Sequence, residues 1–413
     1  MSGGGAARTA RGAARPAEAG PGRGTFALLS VGTGLAVASN YYMQPLLGSI
    51  GRDLDLPEGR AGLLVTVAQT AYAAALLFVL PLGDRLERRR LVSTLAWACA
   101  ASLALMASAR SWPVLLLGAG LVGLCSVVTQ VMVPYAASLA APERRGRVVG
   151  TVMAGLLCGI LAARTAAGAL AQWGGWPTVY WCAAALLAAF ALAAGRLLPP
   201  YREREAPGYL ELVGSVFTLL AREPVLRLRA AYGALSFGAF SALWTSLSFL
   251  LSGPPHHYSP GAIGLFGLAG LAGALAAARA GRLADRGRGQ AVTGLSAVLL
   301  LVVWLPLALG ERVPWVLAAG IVLLDLGAQA LHITNQSEIY RLAPAARSRL
   351  TSAYMTAYFL AGAVASALSS LAWTHLGWGG VCLVGGAFGA GATVLWALSS
   401  RRAPRQRRAA GGA

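Results

Sequence analysis

Long apolar runs, each closed by a short break rich in Arg, Gly or Pro, recur along almost the whole chain, and no other feature restricts its fold as much. A run of about 20 apolar residues matches a bilayer hydrocarbon core of roughly 30 Å. No water is available inside that core, so the backbone must satisfy its own hydrogen bonds, as a helix does. Twelve runs are predicted as spans: 25–46, 61–82, 91–109, 113–139, 148–171, 176–197, 228–251, 260–280, 291–309, 314–337, 351–373 and 378–399. Residues 1–24 are expected to be a disordered basic tail, and residues 400–413 a second basic tail. The polar stretch 198–227 divides the chain into two halves of six spans each, 25–197 and 228–399. Charged residues make up only 12% of the chain, about half the share of a soluble domain. The five cysteines fall inside apolar runs with no C-x-x-C pair, which makes them small apolar fillers rather than metal ligands or a disulfide frame.

The net charge of +19 would suit a nucleic-acid binder, but its placement excludes that reading. All 34 basic residues are arginine, and all but one sit between the spans, at their ends or in the tails. Twenty-nine fall on the side of the two termini and four on the other (Arg52, Arg60, Arg110 and Arg312), while Arg164 lies inside a span. Arginines collect on the cytoplasmic face of a membrane protein. The expected topology is therefore multi-pass in the cytoplasmic (inner) membrane with both termini in the cytoplasm. Within 198–227, the amphipathic stretch from Tyr209 to Leu220 is expected to lie on the membrane face.

Two connecting loops resemble each other. The second and third spans are joined by Leu82-Gly83-Asp84-Arg85-Leu86-Glu87-Arg88-Arg89-Arg90, and the eighth and ninth by Gly281-Arg282-Leu283-Ala284-Asp285-Arg286-Gly287-Arg288. Both read Leu-x-Asp-Arg at matching positions of the two halves, which implies a duplicated architecture. With the twelve spans and the central linker, this pattern resembles the major facilitator superfamily, whose signature loop reads G-x-L-x-D-R-x-G-R-R. Leu80 and Glu87 stand where that pattern has glycine, and the second copy lacks one residue after Arg286. The resemblance covers residues 25–400. It implies an all-α membrane fold of two pseudo-symmetric six-helix bundles. It also implies a gate role for Asp84, Arg85, Arg88, Asp285 and Arg286, with Asp84 latching the cytoplasmic ends of the two halves. The alternative is a charge cluster that only orients the helices. The fifth span carries Gly150, Gly159 and Gly168 at the spacing of that family's antiporter motif, with Ala163-Arg164 in place of Gly-Pro. Generic close packing by small residues accounts for the same pattern.

The costly residues point to a site. A charge at the centre of a span costs about 2.5–3.5 kcal/mol on insertion scales, so it faces a polar interior and has a partner. Arg164 lies deep in the fifth span and Asp325 deep in the tenth, and the two are expected to lie near one another across the halves. Pairing within each half, or snorkelling of Arg164, would be the alternatives. Asp325 begins a helical stripe that continues through Gln329, His332 and Gln336, with Asn335 adjacent. Asp325, His332 and Arg164 are therefore the candidates for proton coupling. Further polar positions are Asn40 and Gln44 in the first span, Gln69 and Tyr72 in the second, Gln130 in the fourth, Trp244 in the seventh, and Tyr354 and Tyr358 in the eleventh. By resemblance, these spans border a central cavity that would hold a small-molecule substrate. Each residue taken singly could equally be a hydrogen bond between helices.

The expected function is secondary active transport by alternating access, with proton-coupled export of drugs or metabolites placed first by resemblance to drug/proton antiporters. An importer or facilitator of a sugar, nucleoside or organic acid is second, and a non-transporting membrane sensor or scaffold is the reading from another class. No nucleotide loop, metal spacing or nucleophile motif is present, so neither a cofactor nor enzymatic activity is expected. The partners expected are the substrate, protons and the lipid bilayer, and the chain is expected to be a monomer.

Overall fold

The computed structural model describes residues 22–203, 208–270, 279–280, 282–342 and 347–410. Most of the predicted 1–24 tail lies outside them. Every regular element among the described residues is helical. Glu58–Phe78, Arg88–Ala107, Pro224–Ser252 and Pro314–Tyr340 are the second, third, seventh and tenth spans. Arg145–Leu197 and Arg347–Ala410 each hold two spans. The first of these turns back at Gly174 and Gly175 and the second at Gly377. Gly175 has φ +75° and Gly377 φ +61°, a left-handed conformation that a Cβ would oppose. The ninth span is Gly289–Val302 followed by Trp304–Leu309. The eighth opens as Pro260–Leu265 and Phe266–Leu268, with 271–278 outside the described residues.

Two spans expected to be continuous are broken. The first runs as Arg23–Ala38, turns through residues 39–43, and resumes as Gln44–Leu46 and Leu47–Asp53. Such irregular backbone survives at membrane depth only when protein encloses it, and Met43, Gln44 and Leu46 are all buried. The fourth stays helical through Pro134 and breaks instead at Ser126–Val127, between Trp112–Cys125 and Val128–Leu139. The Ser126 hydroxyl donates to the Val122 carbonyl at 2.7 Å, a back-bond that bends helices.

Small residues set the helix spacing. A methyl on Gly159 would overlap the Gly34 carbonyl, and one on Gly155 would overlap that of Ser30, so the first and fifth spans touch backbone to backbone. Gly168 meets Gly264 and Pro260 of the eighth span in the same way. Gly150 does not share this role: it is exposed, and a methyl there would meet nothing within 4 Å. Gly159→Leu is therefore expected to lower the thermal midpoint of the purified protein by the equivalent of about 1–3 kcal/mol, whereas Gly150→Leu should leave it unchanged in the same melting assay.

Outward-facing Leu117, Leu295 and Leu383 show how much apolar surface is left for lipid, each more than half exposed. Trp173 and Trp315 are the most exposed tryptophans and lie at the end opposite the arginine-rich loops, where indoles mark a membrane–water boundary. The seventh span is instead enclosed almost all round. The linker helix Tyr209–Arg222 buries Leu212 and Val216 and exposes Leu210 and Phe217. Its Tyr209 hydroxyl donates to the Phe78 carbonyl at 2.8 Å, which ties it to the end of the second span. The seventh span starts at Pro224, earlier than the expected 228, because proline suits the first helical turn.

The two six-helix bundles meet tightly at the end away from the arginine-rich loops. There Ser248 accepts from the Gly48 N–H and donates to the Pro45 carbonyl, both at 3.2 Å. Thr165 donates to the Gly264 carbonyl at 3.1 Å and Ser366 to that of Gly62 at 3.4 Å. At the arginine-rich end, the second and eleventh spans stay joined through Ser352 and the Leu76 carbonyl, 2.7 Å apart. The fourth and fifth spans stand off from the tenth, and the space between them is the central cavity.

Candidate functional site

The cavity has a volume of about 380 Å³. Its walls come from the first, second, fourth and fifth spans on one side and the tenth and eleventh on the other, reaching Leu80, Ala137, Val149 and Tyr340 at the arginine-rich end. Most of the surface is aliphatic. The polar groups on it are Tyr41, Tyr72, Gln130, Gln329, His332 and Gln336, joined by Tyr358 and the hydroxyls nearer the mouth. Among the described residues, no carboxylate, guanidinium or ammonium group lines it. An apolar pocket with a few fixed polar groups is the usual form of a small-molecule site.

Local structure places these groups. Gln329, His332 and Gln336 share one face of the tenth span because their spacing follows the helical repeat. His332 Nδ1 lies 2.9 Å from the Tyr354 hydroxyl, and its ring centroid is 4.8 Å from that of Tyr358. Gln130 donates to the Tyr72 hydroxyl at 3.3 Å across the first half. Tyr72 in turn packs on Phe359 of the other half at 4.4 Å.

Arg164 and Asp325 lie at the closed end of this space. Both are buried, at 1% and 2% exposure. They do not form a direct salt bridge; the indole of Trp244 lies between them. The Arg164 guanidinium carbon sits 3.8 Å from the Trp244 ring centroid, with Tyr41 at 5.0 Å and Phe240 at 5.4 Å. Arg164 Nε donates to the Gln44 side-chain oxygen at 2.7 Å. The Trp244 N–H donates to Asp325 Oδ1 at 3.2 Å. A desolvated cation over an indole gains about 2 kcal/mol or more, and a charge-assisted hydrogen bond is stronger than a neutral one. The indole thus compensates the cation with its face and the carboxylate with its edge. The eighth span makes room for this group. A methyl on Gly267 would lie 2.7 Å from Arg164 Cβ, and one on Gly264 would lie 2.7 Å from the Arg164 carbonyl.

Several predicted cavity residues lie elsewhere. Asn40, Gln44 and Gln69 border a separate small void beside Tyr41 and Phe237, because the break in the first span turns Gln44 toward Arg164. Gln69 exchanges hydrogen bonds with Ser241 across the halves at 3.1 and 3.3 Å. Trp244 and Tyr354 stand behind the cavity wall. Asn335 faces away, fully buried, and its Oδ1 lies 3.5 Å from Arg229 Nη1. Arg229 also donates to Thr293 at 2.9 Å and lies 4.0 Å from Glu338. Sequence reading missed this cluster because Arg229 stands at the predicted start of the seventh span and counted there as a flanking charge. Its signal was the helical spacing of Asn335 and Glu338, i and i+3 on the tenth span.

At the first gate loop, Arg88 is the hub. It is buried and donates to the carbonyls of Gly83 and Pro134, to Ser138, to Asp84 at 3.4 Å and to Glu203 at 3.1 Å. Asp84 borders a small crevice with Ser348, Arg349 and Ser352 of the second half. Arg85 points to solvent, and its carbonyl accepts from Arg202 at 3.0 Å. In the second loop, Arg286 is exposed, and the Asp285 side chain lies outside the described residues.

Comparison with known proteins agrees with this architecture. The chain is 51% identical over 369 residues to the uncharacterized transporter YgaY of Escherichia coli O157:H7, covering 89% of this chain and 94% of that one. It is 27% identical over 291 residues to the chloramphenicol resistance protein of Streptomyces lividans, covering 68% and 72%. Among solved structures, a bacterial homologue of the human lysosomal transporter Spinster, in an inward-facing and unoccupied conformation, superposes with a TM-score of 0.71 at 14% identity, covering 91% of this chain and 96% of that one. The family model for the Major Facilitator Superfamily matches residues 29–366 and again 256–413. With two bundles around one central cavity and a family match extending through both, this chain belongs to the Major Facilitator Superfamily of membrane transporters.

Proposed function

We propose that the protein exports an uncharged, amphipathic small molecule across the cytoplasmic membrane in exchange for protons. The observation that carries this reading is the Arg164–Trp244–Asp325 group at the closed end of a cavity that no formal charge lines among the described residues. A neutral ligand with an apolar body loses little on entering such a cavity, whereas an unpaired ion would leave its hydration uncompensated. The positive-inside distribution supports a cytoplasmic mouth for the cavity. Asp325 then serves as the proton carrier. In its ionised form it holds the Trp244 N–H and the field of Arg164, which draws the fifth, seventh and tenth spans together. Substrate binding opens the closed end; a proton then entering from outside neutralises the carboxylate, is carried inward as the bundles switch back, and leaves to the cytoplasm, where the re-ionised carboxylate restores both attractions. The relative named for chloramphenicol resistance supports a ligand of this class.

One observation favours a second reading, import of an organic acid. Arg164 Nη2 is buried and has no hydrogen-bond partner, so it is available for a substrate carboxylate. Everted vesicles distinguish the two. Neutral amphipathic compounds, chloramphenicol among them, should accumulate when an acid-inside gradient is imposed and release protons measurable with a pH-sensitive dye. Flux that ignores the gradient would overturn the antiport reading, and accumulation restricted to carboxylates would favour the second.

A further inference from the structure

We infer that a groove between the first and fifth spans, on the opposite side of the fifth span from the cavity, binds the phosphate headgroup of an anionic phospholipid. The groove has a volume of about 600 Å³ and lies where both spans begin, at the arginine-rich end. Arg23, Arg144 and Arg147 line it above an apolar floor that includes Phe26 and Val148, with Thr151 beside them. None of the three guanidinium groups forms an ion pair with a carboxylate among the described residues. Glu143, next in sequence to Arg144, does not line the groove.

Two further features point to an anion. The helix Arg23–Ala38 starts here with no side-chain cap on its N–H groups, while the fifth span enters its helix through the turn Pro142–Arg144, where the Arg144 and Arg145 N–H groups meet the Ala141 and Pro142 carbonyls. The N-terminus of the first span adds positive potential to that of the arginines. Arginine also matches phosphate oxygens in a bidentate manner.

Continuity with the membrane surface selects a lipid over free phosphate. Ala27 and Val31 follow Arg23 down the first span, and Ala154 and Cys158 follow Thr151 down the fifth, all exposed. The spans stay in contact below the groove, where the Ser30 hydroxyl donates to the Thr151 carbonyl at 2.8 Å. An acyl chain leaving the headgroup would therefore run over this outer surface and would not enter between the helices. The bound lipid would clamp the first span to the fifth, whose other face carries the cavity residues Val149, Met153 and Leu157.

Native mass spectrometry of the full-length protein, titrated with phosphatidylglycerol or phosphatidylcholine in detergent, tests the site. Phosphatidylglycerol should be retained in preference to phosphatidylcholine. Arg144→Gln with Arg147→Gln should weaken that retention about 30-fold, and Arg147→Gln alone about fivefold, while Arg222→Gln on the linker helix should leave it unchanged. Equal retention of the two lipids by the unmodified protein would overturn the proposal without any variant having to fold. So would undiminished retention by the double variant. Displacement of phosphatidylglycerol by millimolar inorganic phosphate would assign the groove to a free anion and overturn the lipid.

Discussion

Replacing Asp325 with Asn is expected to abolish uphill accumulation of substrate while leaving downhill exchange in place. The change keeps the shape of the side chain and an acceptor oxygen for the Trp244 N–H, 3.2 Å from Oδ1 in the native protein. It removes the exchangeable charge and makes permanent the neutral state that a proton would produce. Each unit of pH gradient supplies about 1.4 kcal/mol per proton, or a tenfold accumulation. The variant should lose that factor for every unit imposed. The measurement is paired: gradient-driven accumulation in everted vesicles, and counterflow in preloaded proteoliposomes without a gradient. Full gradient-driven accumulation by the Asn variant would remove Asp325 as carrier. Loss of both activities would mean that the carboxylate is needed to build the site rather than to couple it.

The second large effect is expected at Trp244. Trp244→Ala removes the ring under Arg164 and the donor to Asp325 together, leaving two buried charges with poorer compensation. Loss of a buried tryptophan costs about 3–5 kcal/mol, and exposing a buried charge to an apolar void adds to that. Trp244→Phe keeps a ring face for the guanidinium and loses only the N–H, so its melting temperature should lie between those of the native protein and the Ala variant. The informative comparison is the double variant with Asp325→Asn. If the indole edge acts through the carboxylate, Trp244→Phe should cost much less in the Asn background than in the native one, a coupling that a thermal-shift cycle reads directly. Strict additivity would mean that Trp244 stabilises the site independently of Asp325.

The membrane class, the division into halves and the sidedness of the arginines were legible because hydrocarbon enforces a one-dimensional rule. A segment either has enough apolar length to span or it does not, and this can be counted along the chain. The cost of intramembrane charge singled out Arg164 and Asp325 for the same reason. The breaks were harder to see. Ser126 ends a helix through a hydroxyl back-bond, while Pro134, the stronger local signal, sits inside an intact element. Sequence spacing also put Asn335 beside Gln336, although their side chains point to different neighbours, one to Arg229 and the other to the cavity.

By itself the sequence determined that this chain crosses a membrane many times as two related halves, and which costly side chains must be sheltered there. Only the tertiary structure decided how they are sheltered. The Arg164 cation and the Asp325 carboxylate come from opposite halves and are joined through the indole of Trp244, on a seventh span enclosed by its neighbours. The apolar content of a segment is summed along one helix, whereas the compensation of a buried charge depends on distances of a few ångströms between helices that are remote in sequence.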